Sequence, residues 1–530
     1  MRKTWILPAV SGLLFALAYP PYNLEFLVWI GFIPLLILLK TYNFKLKTLF
    51  ISGLLAGFIF FAIVMKWLWA VYPLNWTGIE STAAGFFIIG LIWLISALGM
   101  ALSWGLAIFT TGKINQLRKY TLLIIFPSVF VLTEYIRSWF FGLLWLGSGT
   151  LWGPHWTIGN LAYSLHNNPL FLKLSSFIGI YGITLIIALI NILIFFILFS
   201  QKASYLKKIG AAILIILILS YLPKFTIADT NYEARDTIPL AVIQTKVPSD
   251  INYPIDKQLE DFKKQLSLLK ETSKIYPQPK IIIFPEGANF FKNLSIFLDV
   301  KGVKEFFENN FKEPTLIVDN SRLPDEFGQI KSRVIYLDTR KGVLDIYDKQ
   351  FLTPVGEFIP YHLKLLVNLF SKETLNNFSA VREFSKGTRP PQLIESNFKT
   401  GALVCSEIFT PQLFRKLSSQ NPDFLIAMTS TGLFKGTEDL LKQDLAIVKF
   451  RAAENNKYLI LSTNDGYSYT LTNTGKIQKI SQNKDFQLFT DAVVPLKSRT
   501  WYNKLGDFPT LTLSLIITAF ALITTKRREI

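Results

Sequence analysis

The sequence holds a single cysteine, Cys405, which excludes an intramolecular disulfide framework. It has three histidines, His155, His166 and His362, and no Cys/His group with zinc-site spacing. A glycine-rich phosphate loop and a dinucleotide fingerprint are both missing. These absences lead to the expectation of no cofactor and no metal. Acidic residues are scarce in one part of the chain only. Residues 1–223 and 508–530 together carry 17 Lys and Arg against 4 Asp and Glu, whereas residues 224–507 carry 38 against 33. The formal net charge of +18 is therefore concentrated in short connections, not on one folded face, and a nucleic-acid partner is not expected.

The most informative gap concerns basic residues. The connections near 20–23, 71–82 and 142–169 hold no Lys or Arg. The alternate connections hold Arg2 and Lys3; Lys40, Lys45 and Lys47; Lys113, Arg118 and Lys119; Lys202, Lys207 and Lys208; and Lys526, Arg527 and Arg528. By the positive-inside rule, both ends of the chain face the cytoplasm. The composition agrees with a membrane location, because 51% hydrophobic residues and 45 Phe exceed what a globular core needs. Hydropathy predicts about eight spans, near 5–20, 24–39, 46–70, 83–110, 121–141, 170–200, 209–222 and 508–525. The Met1–Tyr19 stretch lacks a small-residue cleavage site and runs into Pro20-Pro21, so it reads as a retained helix.

The expected organisation is a transmembrane helical domain over 1–223, an α/β domain over 224–507 on the outer side, and a final helix with a cytoplasmic tail over 508–530. In the α/β domain, β-branched runs recur at 238–244, 281–284, 315–319, 333–337, 402–404, 424–428 and 458–463. Helix-period stretches lie at Asp256–Lys274, Val300–Asn309, Thr410–Leu417 and Glu438–Asn455. Residues 361–400 read as irregular, with the place of a flap. The outer aromatics Trp67, Trp69, Tyr72, Trp76, Trp139, Trp145, Trp152 and Trp156 read as an interfacial belt. Glu134 and Arg137, one helical turn apart in the fifth span, fit either a structural ion pair or a headgroup contact.

Three residues at the ends of apolar runs carry the candidate chemistry. Glu286 follows Ile281–Phe284 and a proline; Lys349 follows Val343–Tyr347; Cys405 follows Ala402–Val404 and precedes a helix with Thr410 as cap and Pro411 in its first turn. Each alone has an ordinary explanation: a loop salt bridge, a solvated lysine, a small buried hydrophobe. Together, at three strand tips, they read as a nucleophilic thiol with a base and an electrophile, because strand ends are where open α/β sheets place working groups. A Cys/His pair stays open, with His362 the only histidine in the α/β domain, but Glu and Lys fit the strand ends better.

At these residues the sequence resembles the nitrilase (carbon-nitrogen hydrolase) superfamily and, within it, the apolipoprotein N-acyltransferase family. The resemblance covers nearly the whole chain. Its most specific pieces are FPEGA around Glu286, KQFLTPVGEFIP from Lys349 through Glu357, and LVCSE around Cys405, with weaker matches at FRAAE, NDGYS and RSWFFGLLWLGSG. It implies an αββα sandwich carrying a Glu286–Lys349–Cys405 triad, with Glu357, Glu407 and Ser406 in support. Simple loop hydrogen bonding would also account for the two supporting glutamates.

The implied activity is transfer of a fatty acyl chain from a membrane phospholipid to a diacylglyceryl apolipoprotein through a Cys405 thioester. The implied place is a bacterial inner membrane, with a monomer whose catalytic domain is periplasmic. A membrane-tethered amidase and a non-catalytic lipid-binding relative are the alternatives. The chain departs from the family at TSTGLFKG after Met428, at Ser406 where an aromatic is common, and at Asp444 where a histidine is common. These departures affect the pocket wall more than the triad.

Overall fold

The computed structural model describes residues 3–41, 45–77, 79–115, 122–148, 155–199, 204–226, 237–250, 253–370 and 383–529. Trp152 lies outside these residues. Helices occur at each of the stretches expected to be apolar: α1 (Lys3–Ala18), α2 (Ile33–Thr41), α3 (Leu46–Val64), α4 (Thr82–Asn115), α5 (Leu122–Leu144), α6 (Pro169–Leu198), α7 (Tyr205–Thr226) and, at the chain's end, Phe508–Glu529. Four of them, α3 to α6, are long and apolar enough to cross a membrane. The second stretch departs from expectation. It is split into a 3-10 turn, Glu25–Trp29, and the nine-residue α2, which at 1.5 Å per residue covers about 14 Å, under half the hydrocarbon thickness.

The outward face of α4 presents Phe87, Leu91, Leu94, Leu98, Leu102 and Leu106 at three- and four-residue spacing, an apolar stripe that suits lipid and not water. Its inward face meets α3 closely. A side chain at Gly53 would lie 2.4 Å from the Trp104 carbonyl oxygen, so small residues there let the two backbones approach. Glu134 and Arg137 are both buried, and Arg137 Nε donates to Glu134 at 3.1 Å while its Nη1 donates to the Ile158 carbonyl at 2.8 Å. Of the two readings, the structural ion pair is the one observed.

The α/β part is two six-stranded sheets stacked face to face. The first has the order β12-β1-β2-β3-β4-β5, from β1 (Ile238–Gln244), β2 (Ile281–Ile283), β3 (Leu316–Pro324), β4 (Ile330–Asp338), β5 (Gly342–Asp348) and β12 (Gln487–Val493). The second has the order β11-β10-β9-β8-β7-β6, from β6 (Ile394–Glu395), β7 (Lys399–Val404), β8 (Phe424–Ser430), β9 (Leu459–Asn464), β10 (Tyr469–Leu471) and β11 (Ile477–Ile480). In each sheet three central strands run parallel, β1-β2-β3 and β7-β8-β9.

Parallel strands covered on both faces need continuous apolar sequence, not alternation, and β1 and β2 show it. Leu240, Val242, Ile281 and Ile283 enter the core between the sheets, whereas Ala241, Ile243 and Ile282 pack under α8 (Ile255–Thr272), α9 (Phe290–Phe297) and α10 (Val300–Asn310). Over the second sheet lie α12 (Pro411–Ser419) and α13 (Glu438–Asn455). The stretch expected to be irregular begins with a helix, α11 (Tyr361–Phe370), and ends in the β6–β7 hairpin; residues 371–382 lie outside the described residues.

A short helix, α14 (Trp501–Leu505), then leads into α15 (Phe508–Glu529). The Tyr502 ring fills a break in α6 at Gly179, where φ is +62° and a Cβ would lie 2.3 Å from the ring.

Candidate active site

Glu286, Lys349 and Cys405 each follow the C-terminal end of a strand, β2, β5 and β7 respectively. The first two come from one sheet and the third from the other. Stacking the sheets therefore assembles a site that neither sheet holds alone. Lys349 Nζ lies 3.0 Å from Glu286 Oε1 and 2.7 Å from Glu357 Oε2, and all three side chains are buried. Burial opposes the ammonium charge, but Glu286, Glu357 and the neighbouring thiol outweigh it and hold Lys349 well above the usual lysine range.

Cys405 is half-buried and opens a 3-10 turn, Cys405–Phe409. Its φ of +49° lies in the left-handed region, which is strained for a residue with a side chain. This is a strand-to-turn corner that turns the sulfur out of the sheet. Burial first, then the neighbouring Glu286 carboxylate, push the thiol pKa well above the thiol range. The resting group is thus a protonated thiol with a carboxylate at hand to take its proton. None of the three histidines supplies that partner. His155 Nε2 meets the Tyr181 hydroxyl at 2.8 Å, His166 Nδ1 meets the Tyr163 carbonyl at 3.0 Å, and His362 packs on Trp145.

The two further glutamates fix the loops that carry these groups. Glu357 Oε2 accepts from Lys349 and, at 2.7 Å, from the Thr353 N–H. Glu407 is fully buried; its Oε1 accepts from the Tyr347 hydroxyl at 2.6 Å and the Gln350 N–H at 2.8 Å, and its Oε2 accepts from the Val404 N–H at 2.9 Å. It therefore ties the residues flanking Lys349 to those flanking Cys405 across the sheets. The Ser406 hydroxyl donates to the Phe351 carbonyl. Thr410 occupies the cap position before α12, but its side chain makes no capping bond. Among the described residues, no group of three or more His, Cys, Asp or Glu is placed to hold a metal ion.

Sequence reasoning did not single out Asn464 as a tie between the sheets. Its Oδ1 accepts from the Thr245 hydroxyl and the Val247 N–H, both at 2.7 Å, and its Nδ2 donates to Ser430 Oγ at 2.9 Å. The signal was present in NDGYS, but the partners lie more than two hundred residues earlier.

Cys405 opens into a cavity of about 770 Å³ shared between the sandwich and the membrane helices. Its walls include Trp67, Trp76, Trp145 and Trp156, together with Phe87 of α4 and Phe434. These tryptophans, expected as a lipid belt, line the cavity. TSTGLFKG supplies another part of the wall through Thr429, Ser430, Leu433 and Phe434. A largely apolar cavity of this size that reaches a lipid-facing helix has room for a long hydrocarbon chain with its polar end at the sulfur.

Residues 11–193 match the Apolipoprotein N-acyltransferase N-terminal domain. Among curated relatives, the apolipoprotein N-acyltransferase of Shewanella oneidensis is 23% identical over 97% of this chain and 95% of its own. That of Coxiella burnetii is 25% identical over 96% and 98%. Among solved structures, Saccharomyces cerevisiae Nit3 of the nitrilase superfamily covers 49% of this chain and 90% of its own, at 15% identity and a TM-score of 0.35. From its N-terminal domain to its end, the chain is thus similar to proteins of one kind, the apolipoprotein N-acyltransferases.

Proposed function

We propose that this protein moves a fatty acyl chain from a membrane phospholipid to the α-amine of a diacylglyceryl-cysteine at the start of an apolipoprotein, through a thioester on Cys405. The observation that carries this reading is a single thiol, beside a carboxylate that is itself paired with a lysine, opening into an apolar cavity walled partly by a membrane helix. The names of the relatives supply the acceptor class. The charge pattern of the connections favours a bacterial inner membrane with residues 224–507 on the periplasmic side, held by the helices of 1–223 and 508–530. A monomer is part of the same proposal, supported by the origin of both sheets of the site in one chain.

In the first half-reaction, Glu286 takes the thiol proton as sulfur attacks the ester carbonyl. Lys349 Nζ and the Ser406 N–H, which has no intrahelical acceptor at the start of its turn, stabilise the oxyanion, an effect worth roughly 3–4 kcal/mol per donor in comparable sites. Collapse breaks the ester C–O bond, Glu286 passes its proton to the departing lysophospholipid oxygen, and an acyl thioester remains. In the second half-reaction the acceptor amine attacks that thioester, Glu286 takes the amine proton, and the C–S bond breaks to return thiol and leave an amide. This is ping-pong transfer.

A small-amide hydrolase needs a wet path to the sulfur, which the apolar lining of the cavity disfavours, and a non-catalytic relative needs no strained thiol beside a base. The deciding measurement is the intact mass of the purified protein after incubation with phospholipid. A fatty-acyl increment on Cys405, absent in Cys405→Ser and discharged by a diacylglyceryl peptide, is expected. An unmodified thiol under those conditions would sink the proposal.

A further inference from the structure

One polar group in the cavity is left without a role by the mechanism above. Asp444, on α13, lines the same cavity as Cys405, is only 5% exposed, and its Oδ1 has no hydrogen-bond partner among the described residues. A buried carboxyl without a partner is costly, and each such group in a native structure calls for a reason. The amide of the same shape would avoid the charge.

The surroundings indicate what would satisfy it. Among the described residues lining the cavity, two are acidic, Glu80 and Asp444, and none is Lys, Arg or His. The nearby lysines are engaged elsewhere: Lys66 pairs with Asp439 at 3.2 Å, and Lys435 Nζ donates to the Tyr72 carbonyl at 2.7 Å. Burial first, then the repulsion of Glu286, disfavour the Asp444 anion. A phosphate or carboxylate would add to that repulsion. An ammonium would relieve it, and Trp67 and Phe434, in edge contact at 4.9 Å on the cavity wall, offer the aromatic faces that cations favour.

We propose that Asp444 is the recognition point for a primary ammonium group entering the cavity beside Cys405. Two sources share that chemistry, the N-terminal amine of the acceptor and an ethanolamine headgroup on the donor. The assignment deepens the acyl-transfer reading and rests on it, so the test separates the two.

The full-length Cys405→Ser protein, unable to turn over, is titrated with a diacylglyceryl-cysteinyl peptide and with its desamino analogue, following quenching of the cavity tryptophans. A preference of about 10- to 100-fold for the amine-bearing peptide, abolished by adding Asp444→Asn, is expected if the source is the acceptor. In parallel, acyl-enzyme formation is timed in protein with Cys405 intact, using donors of equal acyl chains carrying ethanolamine or glycerol headgroups. A loss in Asp444→Asn confined to the ethanolamine donor identifies the donor as the source and equally supports the site. The inference is overturned if Asp444→Asn leaves both preferences unchanged, or slows the glycerol-headgroup donor as much as the ethanolamine one. Absence of any acyl-enzyme in protein with Cys405 and Asp444 intact defeats the acyl-transfer reading instead, and the binding preference alone then decides for or against Asp444.

Discussion

Two helices of 18 residues each cover the outer faces of the sandwich, and they differ in one respect. On α8, over the first sheet, five residues are buried; on α13, over the second, fourteen are buried. Yet α13 is rich in polar side chains. They are buried because the helical part meets them: Gln443 donates to the Val64 carbonyl at 3.0 Å, Lys449 to Asn167 at 2.7 Å, and Arg451 bonds both Glu454 and the Tyr163 hydroxyl. The helix covering the second sheet is thus docked, and that sheet carries the thiol, while the helix covering the first is free, and that sheet carries the proposed base and the ammonium. The site lies between a sheet whose cover is fixed to the membrane helices and one whose cover is not.

The sharpest way to break this comparison is to remove chemistry from one half at a time. Cys405→Ala on the docked side and Glu286→Gln on the free side should each lower acyl transfer by about 10³-fold or more, and the double variant should lose little further, because the groups act as a unit. A double variant that loses the product of the two effects would contradict a shared site. Glu286→Gln has a second, opposite signature. The carboxylate repels the thiolate and so raises the thiol pKa; without it, the pH at which Cys405 becomes alkylable by iodoacetamide should move down even as transfer is lost.

Docking itself is tested next. Arg451→Met leaves Glu454 buried without its cation and takes one of two partners from the Tyr163 hydroxyl, which should cost about 3–5 kcal/mol in denaturant titrations, as for other broken buried pairs. Stability equal to that of the unaltered protein would mean that α13 is not the anchor. A smaller effect is expected from Glu357→Gln, which leaves Lys349 one of its two carboxylates. Turnover should fall about 10- to 100-fold with little change in KM. Because Glu357 holds the Lys349 pKa up, the alkaline limb of the rate profile should move to lower pH. The smallest effect belongs to the free side: Lys301→Ala on α10 removes only an exposed contact to Glu305 at 3.8 Å and should leave stability and transfer unchanged within error.

The parts of this structure that could be read in the sequence were those whose cause is local. The apolar runs before Glu286, Lys349 and Cys405 announce strands, and a residue after a buried strand emerges at its tip, so the three candidates were visible one by one. Four helices of the sandwich, α8, α10, α12 and α13, were also legible from local pattern, whereas α9 and α11, in short or irregular-looking stretches, were not. What stayed hidden depends on distant contacts. Trp67, Trp145 and Trp156 look like belt residues until the sandwich closes over them. Asn464 reveals its role only when Thr245 and Val247 arrive from the other sheet. Strands β10 to β12, which are short or only partly buried, carry too few apolar positions to declare themselves. The nine-residue α2 belongs to a stretch apolar enough to suggest a span, but the 3-10 turn before it breaks the run.

The notch in α6 has a consequence for the order of assembly. Gly179 belongs to an early crossing, yet the ring that fills it, Tyr502, is made only after the whole sandwich. The seat for the closing helix is therefore ready long before its key is synthesised, and Gly179→Ala, which would block the seat, should leave the earlier helices inserted and α15 sensitive to protease. In this chain α15 acts as a latch, packing on α5 and α6 after the sandwich has been made.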